Sequence, residues 1–263
     1  MEKRIVFFDI DGTLQGWDKV IPQDAADAVR ALRRRGHLAV INTGRPGSHV
    51  EPGIRAIGFD GYVCAAGGHI ERDGRVIRHC GADAELSRRI VELVRSFGLC
   101  PIYESEEGMF YDPTMPQVPY AVREREYFRA RGFDVDYDID TPGFRFDKFV
   151  AFSTPGGDYR GFCERVTEWF DMVDRVSDMS EFVMKGCSKE IGVRLFCESC
   201  GIDPADCLAI GDGVNDIPMF RAVGHPVVMG DGNPEVFPLA EYITLPLHEG
   251  GVANALRHYG LID

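Results

Sequence analysis

Apolar and polar positions first separate at Ile5-Val6-Phe7-Phe8, a continuous apolar run cut off by Asp9-Ile10-Asp11-Gly12-Thr13. A short run of this kind, bounded by a glycine turn, predicts a fully buried strand. Pro22 to Arg35 then places Ala25, Ala28, Val29 and Leu32 at helical spacing, with Gly36 as the stop. Leu38 to Ile41 predicts a second buried strand, ending at Asn42-Thr43-Gly44-Arg45-Pro46. Tyr62 to Ala66 predicts a third, and Arg72-Asp73-Gly74-Arg75 a hairpin turn. Strand and helix alternating in this way predict an α/β fold, a parallel sheet with helices on both faces.

The middle of the chain follows another pattern. Leu86, Ile90, Leu93, Val94 and Phe97 mark an amphipathic helix, and a Pro-rich stretch runs from Pro113 to Pro119. Arg145 to Ser153 alternates and then turns apolar, as a strand does; a helix is predicted over Tyr159 to Phe170 and a strand over Glu181 to Met184. The alternating α/β pattern resumes with a helix from Lys189 and a strand over Cys207 to Ile210. The expected architecture is a Rossmann-like, doubly wound parallel sheet built from residues 1–82 and 186–263, interrupted by an α+β domain over 83–185. Asp134, Asp136, Asp138 and Asp140 alternate within that insertion. Ile139 stands where a calcium loop needs glycine, so the run predicts a solvated strand face.

Composition narrows the partners. The net charge of -13 argues against nucleic acid, which needs a basic footprint, and against an anionic membrane surface. No apolar stretch is long enough to span a bilayer, and Met1-Glu2-Lys3-Arg4 leads into strand rather than a signal h-region, so a cytoplasmic location is the default expectation. The eight cysteines then read as reduced thiols. Cys197 and Cys200 form a CxxC, but it ends a predicted helix with no second CxxC and no His pair, and ordinary helix packing is expected there.

The chemistry concentrates at strand ends. Open α/β sheets bind ligands beyond the carboxyl ends of their strands, where the first strand delivers Asp9 and Asp11. Two aspartates separated by one residue can serve one site as nucleophile and proton carrier, with Gly12 allowing the tight turn and Thr13 bracing it. The Thr43 hydroxyl and the Gly44 amide can hold a phosphate oxygen. Lys189 opens a helix, where its ammonium and the positive helix end both favour an anion. Gly211-Asp212-Gly213-Val214-Asn215-Asp216 follows another buried strand and offers the hard oxygen ligands that magnesium prefers. Asp9, Asp11, Asp212 and Asp216 bring four carboxylates, or three negative charges when Asp11 is protonated as an acid. Lys189 offsets one, and a bound Mg²⁺ removes the remaining two.

These four segments, in this order, resemble the motifs of the haloacid dehalogenase superfamily of phosphohydrolases, and most closely its Cof-type branch, whose cap domain is inserted between the second and third motifs. Asp9 to Leu14 is similar to the first motif without a gap, Thr43 to the second, Lys189 after Gly186-Cys187-Ser188 to the third, and Gly211 to Asp216 to the fourth. The likeness continues into Val228-Met229-Gly230 and Gly250-Gly251-Val252-Ala253. The chain departs at Ala66-Gly67-Gly68, where many relatives have Asn-Gly-Ala, and at Gly213, which often has a larger polar counterpart.

The resemblance implies a Mg²⁺-dependent phosphatase in which Asp9 attacks phosphorus to form an aspartyl-phosphate. Asp11 would protonate the leaving oxygen and then take a proton from the hydrolytic water. Magnesium would be held by Asp9, the Asp11 backbone carbonyl and Asp212, with Asp216 binding directly or through water. Thr43 and Lys189 would hold the phosphoryl oxygens, and Asn215 would steady its loop and Lys189. Arg45 either touches the substrate or packs beside Pro46. The expected substrate is a small phosphorylated metabolite, a sugar phosphate first and a phosphorylated cofactor next. A phosphomutase, or a non-catalytic phosphometabolite-binding regulatory protein, are the alternatives.

Overall fold

The computed structural model describes residues 3–176 and 178–263. In chain order it runs β1 (Ile5–Phe8), α1 (Gln23–Arg34), β2 (Leu38–Asn42), α2 (Pro52–Arg55), β3 (Gly61–Cys64), β4 (His69–Arg72) and β5 (Arg75–His79). The middle holds α3 (Ala84–Ser96), β6 (Cys100–Glu104), β7 (Met109–Tyr111), α4 (Pro119–Arg129), β8 (Lys148–Phe152), α5 (Tyr159–Val166), β9 (Phe170–Val176) and β10 (Met179–Met184). The last part holds α6 (Lys189–Cys200), β11 (Leu208–Gly211), α7 (Ile217–Ala222), β12 (His225–Val228), β13 (Tyr242–Ile243) and α8 (Gly251–His258). Two compact units result. One takes the chain up to Arg45, Val50–His79 and Ser188–Asp263; the other takes Pro46–His49 and Cys80–Cys187.

The first unit is built on one sheet, in the order β13-β12-β11-β1-β2-β3-β4-β5. Strands from β13 to β3 run parallel, and β4 and β5 add an antiparallel edge. β1 lies at the centre, with Val6 beside Leu208 on β11 and Ala39 on β2. Its two faces explain why it reads as unbroken hydrophobic sequence. Val6 and Phe8 pack with Ala25, Val29 and Leu32 of α1 and with Val252 and Leu256 of α8. Ile5 and Phe7 pack with Val193 and Phe196 of α6 and Met219 of α7.

Two local features set the position of α6. The Ser188 hydroxyl accepts from the Ile191 amide at 3.1 Å and caps the helix. Gly192 lies so close to β3 that an added Cβ would stand 2.2 Å from Val63 Cγ1. The third strand is shorter than expected: it ends at Cys64, and 65–67 turn away from the sheet. Ala65 and Ala66 take left-handed φ values of 49° and 50° there. Their amides leave the ladder to bind the carbonyls of Arg45 (2.8 Å) and Thr43 (3.1 Å), so the strained turn braces the loop after β2. The Cys197 and Cys200 thiols are free, and Cys197 packs at the base of α6 with its Sγ 3.6 Å from that of Cys207.

The second unit is an antiparallel sheet, β7-β6-β8-β10-β9. On one face Tyr103, Phe149 and Phe182 pack with Ile90 of α3 and Phe162 of α5. On the other, Ile102, Tyr111 and Phe152 pack with Ala121 and Phe128 of α4. The helix expected over 159–170 stops at Val166, and Phe170 instead opens β9, its ring buried against Phe149. The Asp134–Asp140 run is not a strand. Asp134 accepts the amide of Asp136 and Asp138 that of Asp140, local turns that compete with sheet pairing. Asp136 pairs with Arg125 and Arg129, and Asp140 with Arg95. Among the described residues no helix is long and apolar enough to cross a membrane.

Helix propensity favours alanine over glycine by about 1 kcal/mol at an interior helical position. At residue 192 the contact with Val63 reverses that preference, since overpacking of a rigid β-branched neighbour costs about 1–3 kcal/mol. Gly192→Ala is therefore expected to lower the unfolding free energy measured in urea. A rise of the size predicted by propensity would show that α6 can move off the sheet freely.

Candidate active site

The central position of β1 decides what converges. Asp9 directly follows it and donates its amide to the Ile210 carbonyl at 3.0 Å, so the parallel pairing with β11 persists as far as Asp9. Asp212 follows β11, and Asn42 and Thr43 close β2 and begin its loop. Gly12 lies at φ +81°, and a Cβ there would be 2.2 Å from Asp212 Oδ2, so the turn after β1 can reach this position only as glycine. Thr13 donates its hydroxyl to Asp212 Oδ1 at 3.1 Å.

Lys189, on the first turn of α6, sits between two of the carboxylates. Its Nζ donates to Asp9 Oδ1 at 2.7 Å and to Asp216 Oδ1 at 2.6 Å. All three are buried, with Asp9 3%, Lys189 2% and Asp216 0% exposed. Asp216 Oδ2 accepts the amides of Asp212 (2.9 Å) and Gly213 (3.0 Å), which folds the loop after β11 around it. Gly211 must be glycine because a Cβ would stand 2.4 Å from that same oxygen. The buried Asn42 amide donates to the Lys189 carbonyl at 3.1 Å and fixes the start of α6 against β2.

Burial, then the nearby Asp216 and Asp212, push the Asp9 carboxyl up to about 8 although Lys189 opposes this. Burial, then Asp216, push Asp212 up to about 7. The two carboxylates beside Lys189 outweigh its own desolvation and hold its pKa above the ordinary lysine value. One oxygen from each of Asp9, Asp212 and Asp216 lies within 4.8 Å of the others. When all three are ionised, these hard oxygen donors around a single ammonium carry two uncompensated negative charges, a set that fits a divalent cation such as Mg²⁺.

Asp11 belongs to a different arrangement. Arg45 grips it through both oxygens, Nε to Oδ2 at 2.7 Å and Nη2 to Oδ1 at 2.5 Å, and Lys19 Nζ reaches Oδ1 at 3.2 Å. Burial works to raise Asp11, but Arg45 and then Lys19 outweigh it and hold its pKa below the ordinary carboxylate value. This corrects the charge count drawn from sequence: Asp11 is neutralised by two cations rather than by a proton. The two negative charges left for a metal instead arise from Asp9, Asp212 and Asp216 against Lys189.

Thr43 is buried, with its Oγ1 accepting the Arg45 amide at 3.2 Å, and its backbone is held by Val63 and Ala66. Arg45 therefore turns toward Asp11 rather than packing beside Pro46. Asn215 does not steady Lys189. The turn Val214–Asp216 aims Asp216 inward and leaves Asn215 exposed, and it is Asp216 that holds the ammonium. Sequence reasoning missed Asn42 and Lys19. Asn42 had a signal, a polar residue ending an apolar strand; Lys19 lies in a polar loop and had none.

The family model for haloacid dehalogenase-like hydrolases matches residues 6–256, and the chain belongs to that family. The YkrA protein of Bacillus subtilis (strain 168) is 27% identical over 264 residues, covering 100% of both chains. The HMP-PP phosphatase of Serratia proteamaculans (strain 568) is 24% identical over 97% of this chain and 95% of its own. Among solved structures, the phosphatase BT1666 of Bacteroides thetaiotaomicron is 25% identical with a TM-score of 0.82, covering 99% of this chain and 96% of that one. The chain is a Cof-type phosphatase, a phosphoric monoester hydrolase.

The raised pKa values of Asp9 and Asp212 set the pH dependence of stability. Without metal the folded protein holds protons that the unfolded chain has already released. That contribution to stability is full below the ordinary carboxylate pKa and is lost as pH rises through about 7 to 8. With chelator, the melting temperature should fall between pH 6 and pH 9. Saturating Mg²⁺ should raise it by about 3 °C at pH 9 and by less at pH 6. Asp212→Asn should raise the metal-free value and abolish the Mg²⁺ increment. A melting temperature indifferent to Mg²⁺ at both pH values would remove the metal from this site.

Proposed function

We propose that the protein hydrolyses a small phosphorylated metabolite in a Mg²⁺-dependent reaction through an aspartyl-phosphate on Asp9. The observation that carries this reading is the set of buried Asp9, Lys189 and Asp216 with half-buried Asp212 beside them. Lys189 occupies only Oδ1 of Asp9, and Oδ2 accepts no hydrogen bond among the described residues. In the first step an oxygen of Asp9 bonds to phosphorus while the ester oxygen leaves and takes a proton from Asp11. That carboxylate is ionised between Arg45 and Lys19 beforehand and takes up the proton from a monoanionic phosphate ester as it seats. In the second, water attacks the phosphoryl group, gives its proton to Asp11, and Asp9 is released. Lys189, Thr43 and the Gly44 amide hold the phosphoryl oxygens as charge shifts onto them, with Arg45 beside them on Asp11.

The Asp9 and Asp212 side chains and the Asp11 main-chain carbonyl are the residues that would hold magnesium. The ion would offset the carboxylates and polarise the phosphoryl group. Asp216, with Oδ2 committed to two amides and Oδ1 to Lys189, serves as the anchor of this set and would meet the ion directly or through water. The unit containing Cys80–Cys187 corresponds on this reading to the cap, inserted between the second and third motifs. A sugar phosphate is the first choice of substrate by family likeness. A phosphorylated cofactor is the second; the Serratia relative is named an HMP-PP phosphatase.

Phosphate release from a panel of sugar phosphates, nucleotides and phosphorylated cofactors tests the proposal. Turnover is expected with Mg²⁺ and without any bisphosphate activator, is lost with chelator, and falls by at least ~10³-fold in Asp9→Asn. No release from any member by folded protein would defeat it.

A further inference from the structure

The spacing of Cys197 and Cys200 suggests a pair three residues apart, but the fold gives Cys197 a different neighbour. Its Sγ lies 3.6 Å from that of Cys207, which stands immediately before β11. The Cys200 sulfur instead lies 3.7 Å from the Ser199 hydroxyl oxygen. Cys197 and Cys207 are both 0% exposed, and neither takes part in the chemistry of the active site. They nevertheless lie just beneath the surface: Gly201, Asp203, Ala205 and Asp206, in the segment that connects them, are exposed. α6 ends three residues beyond Cys197 at Cys200, where Gly201 closes it in a left-handed conformation.

The surroundings make Cys207 the more reactive of the two. A hydrogen bond from Cys197 holds the Cys207 thiol below the ordinary cysteine value against the effect of burial, and the Ile5 amide adds to this. As a thiol, Cys207 donates to the Asp203 carbonyl at 3.4 Å, a long bond that ionisation gives up. The bond between the sulfurs, with burial, pushes the Cys197 thiol up, so Cys197 keeps its proton. A sulfur that ionises beside one that stays protonated can be oxidised and then resolved by its neighbour. A disulfide needs its sulfurs about 2.05 Å apart, so about 1.5 Å remains to be closed. That distance is within reach of side-chain rotation and a small shift of the last turn of α6.

We propose that Cys197 and Cys207 form a reversible disulfide on exposure to hydrogen peroxide, fastening α6 to β11. The Cys207 thiolate attacks one peroxide oxygen; the O–O bond breaks, a sulfenic acid forms, and the departing hydroxide takes up a proton as water. The Cys197 sulfur then attacks the Cys207 sulfur. The S–S bond forms, the S–O bond breaks, and the hydroxyl leaves with the Cys197 proton as a second water. The two thiols supply the two electrons that reduce the peroxide. Dithiothreitol reverses the reaction by thiol–disulfide exchange. α6 opens with Lys189 and β11 leads into Asp212, so the bond joins the two elements that carry those residues, at their ends away from the site.

Peptide mapping of the full chain by mass spectrometry tests the pairing. The folded protein is treated with hydrogen peroxide under conditions that leave its melting transition intact. Remaining thiols are then blocked in denaturant, and peptides are separated without reductant. The expected product is one linked pair, Cys197 with Cys207, and a loss of two of the eight free thiols that dithiothreitol restores. Cys200→Ser should leave that link in place, whereas Cys207→Ala should abolish it and leave Cys197 a free thiol. Mapping of the wild type and of Cys200→Ser carries the test if the Cys207 variant does not fold. A link through Cys200, overoxidation of Cys207 with no link, or eight free thiols after treatment would each overturn the proposal.

Discussion

Three carboxylates are held around one ammonium in the interior of the core unit, at the carboxyl ends of adjacent parallel strands. At a separation of a few ångströms, and at an effective dielectric near 20, each charged pair there interacts by several kcal/mol. Like charges of that strength do not stay together unless the backbone around them leaves no alternative. The surrounding residues supply that constraint. Gly12 and Gly211 leave space where a Cβ would collide with Asp212 or Asp216, Thr13 ties down Asp212, and two amides of the 212–213 loop hold Asp216. Lys189 stands at the positive end of α6, an unfavourable place for a cation, and its two carboxylate partners are what keep it there. The same crowding that threatens the fold makes the site receptive to a divalent cation.

Backbone strain lies close to this cluster. Ala65, Ala66 and Lys19 take left-handed conformations that residues with a Cβ usually avoid. Ala65 and Ala66 give their amides to the loop that carries Thr43 and Arg45, and Lys19 reaches Asp11. Next to them Gly67, at φ +88°, approaches Ser188 so closely that a Cβ would lie 2.2 Å from its carbonyl oxygen. Strain of this kind persists where surrounding bonds over-determine it. Here it joins the turn after β3 to the loop after β2 and to the cap of α6, three segments remote in sequence that meet around one reaction centre.

The site consists of two electrostatic groups. Asp9, Asp212, Asp216 and Lys189 form a largely buried, acidic group suited to a metal. Asp11, Arg45 and Lys19 form a partly exposed group in which the carboxylate is already neutralised. Two aspartates two residues apart thereby acquire opposite environments, with Asp9 pushed above the ordinary carboxylate value and Asp11 held below it. Both residues lie past the end of β1, where the chain turns at Gly12 instead of continuing the strand, and residues two apart no longer share one face.

Much of this was legible in the chain before folding. The unbroken apolar run of β1 predicted burial on both faces, which the packing of Val6 and Phe8 on one side and Ile5 and Phe7 on the other explains. The four motifs, each a short segment at a strand or helix end, were readable because their chemistry depends on local spacing. What depended on long-range packing was not readable: the Arg45 and Lys19 grip on Asp11, the outward turn of Asn215, and the early end of α5 that frees Phe170 for β9. The Asp134–Asp140 run shows the difference most plainly. Its alternation is that of a strand, but each side chain found an amide or a guanidinium nearby and the sheet never formed. Periodicity and local motifs follow from the chain's own geometry, whereas the partner a charged side chain finds depends on which distant segments the core brings beside it.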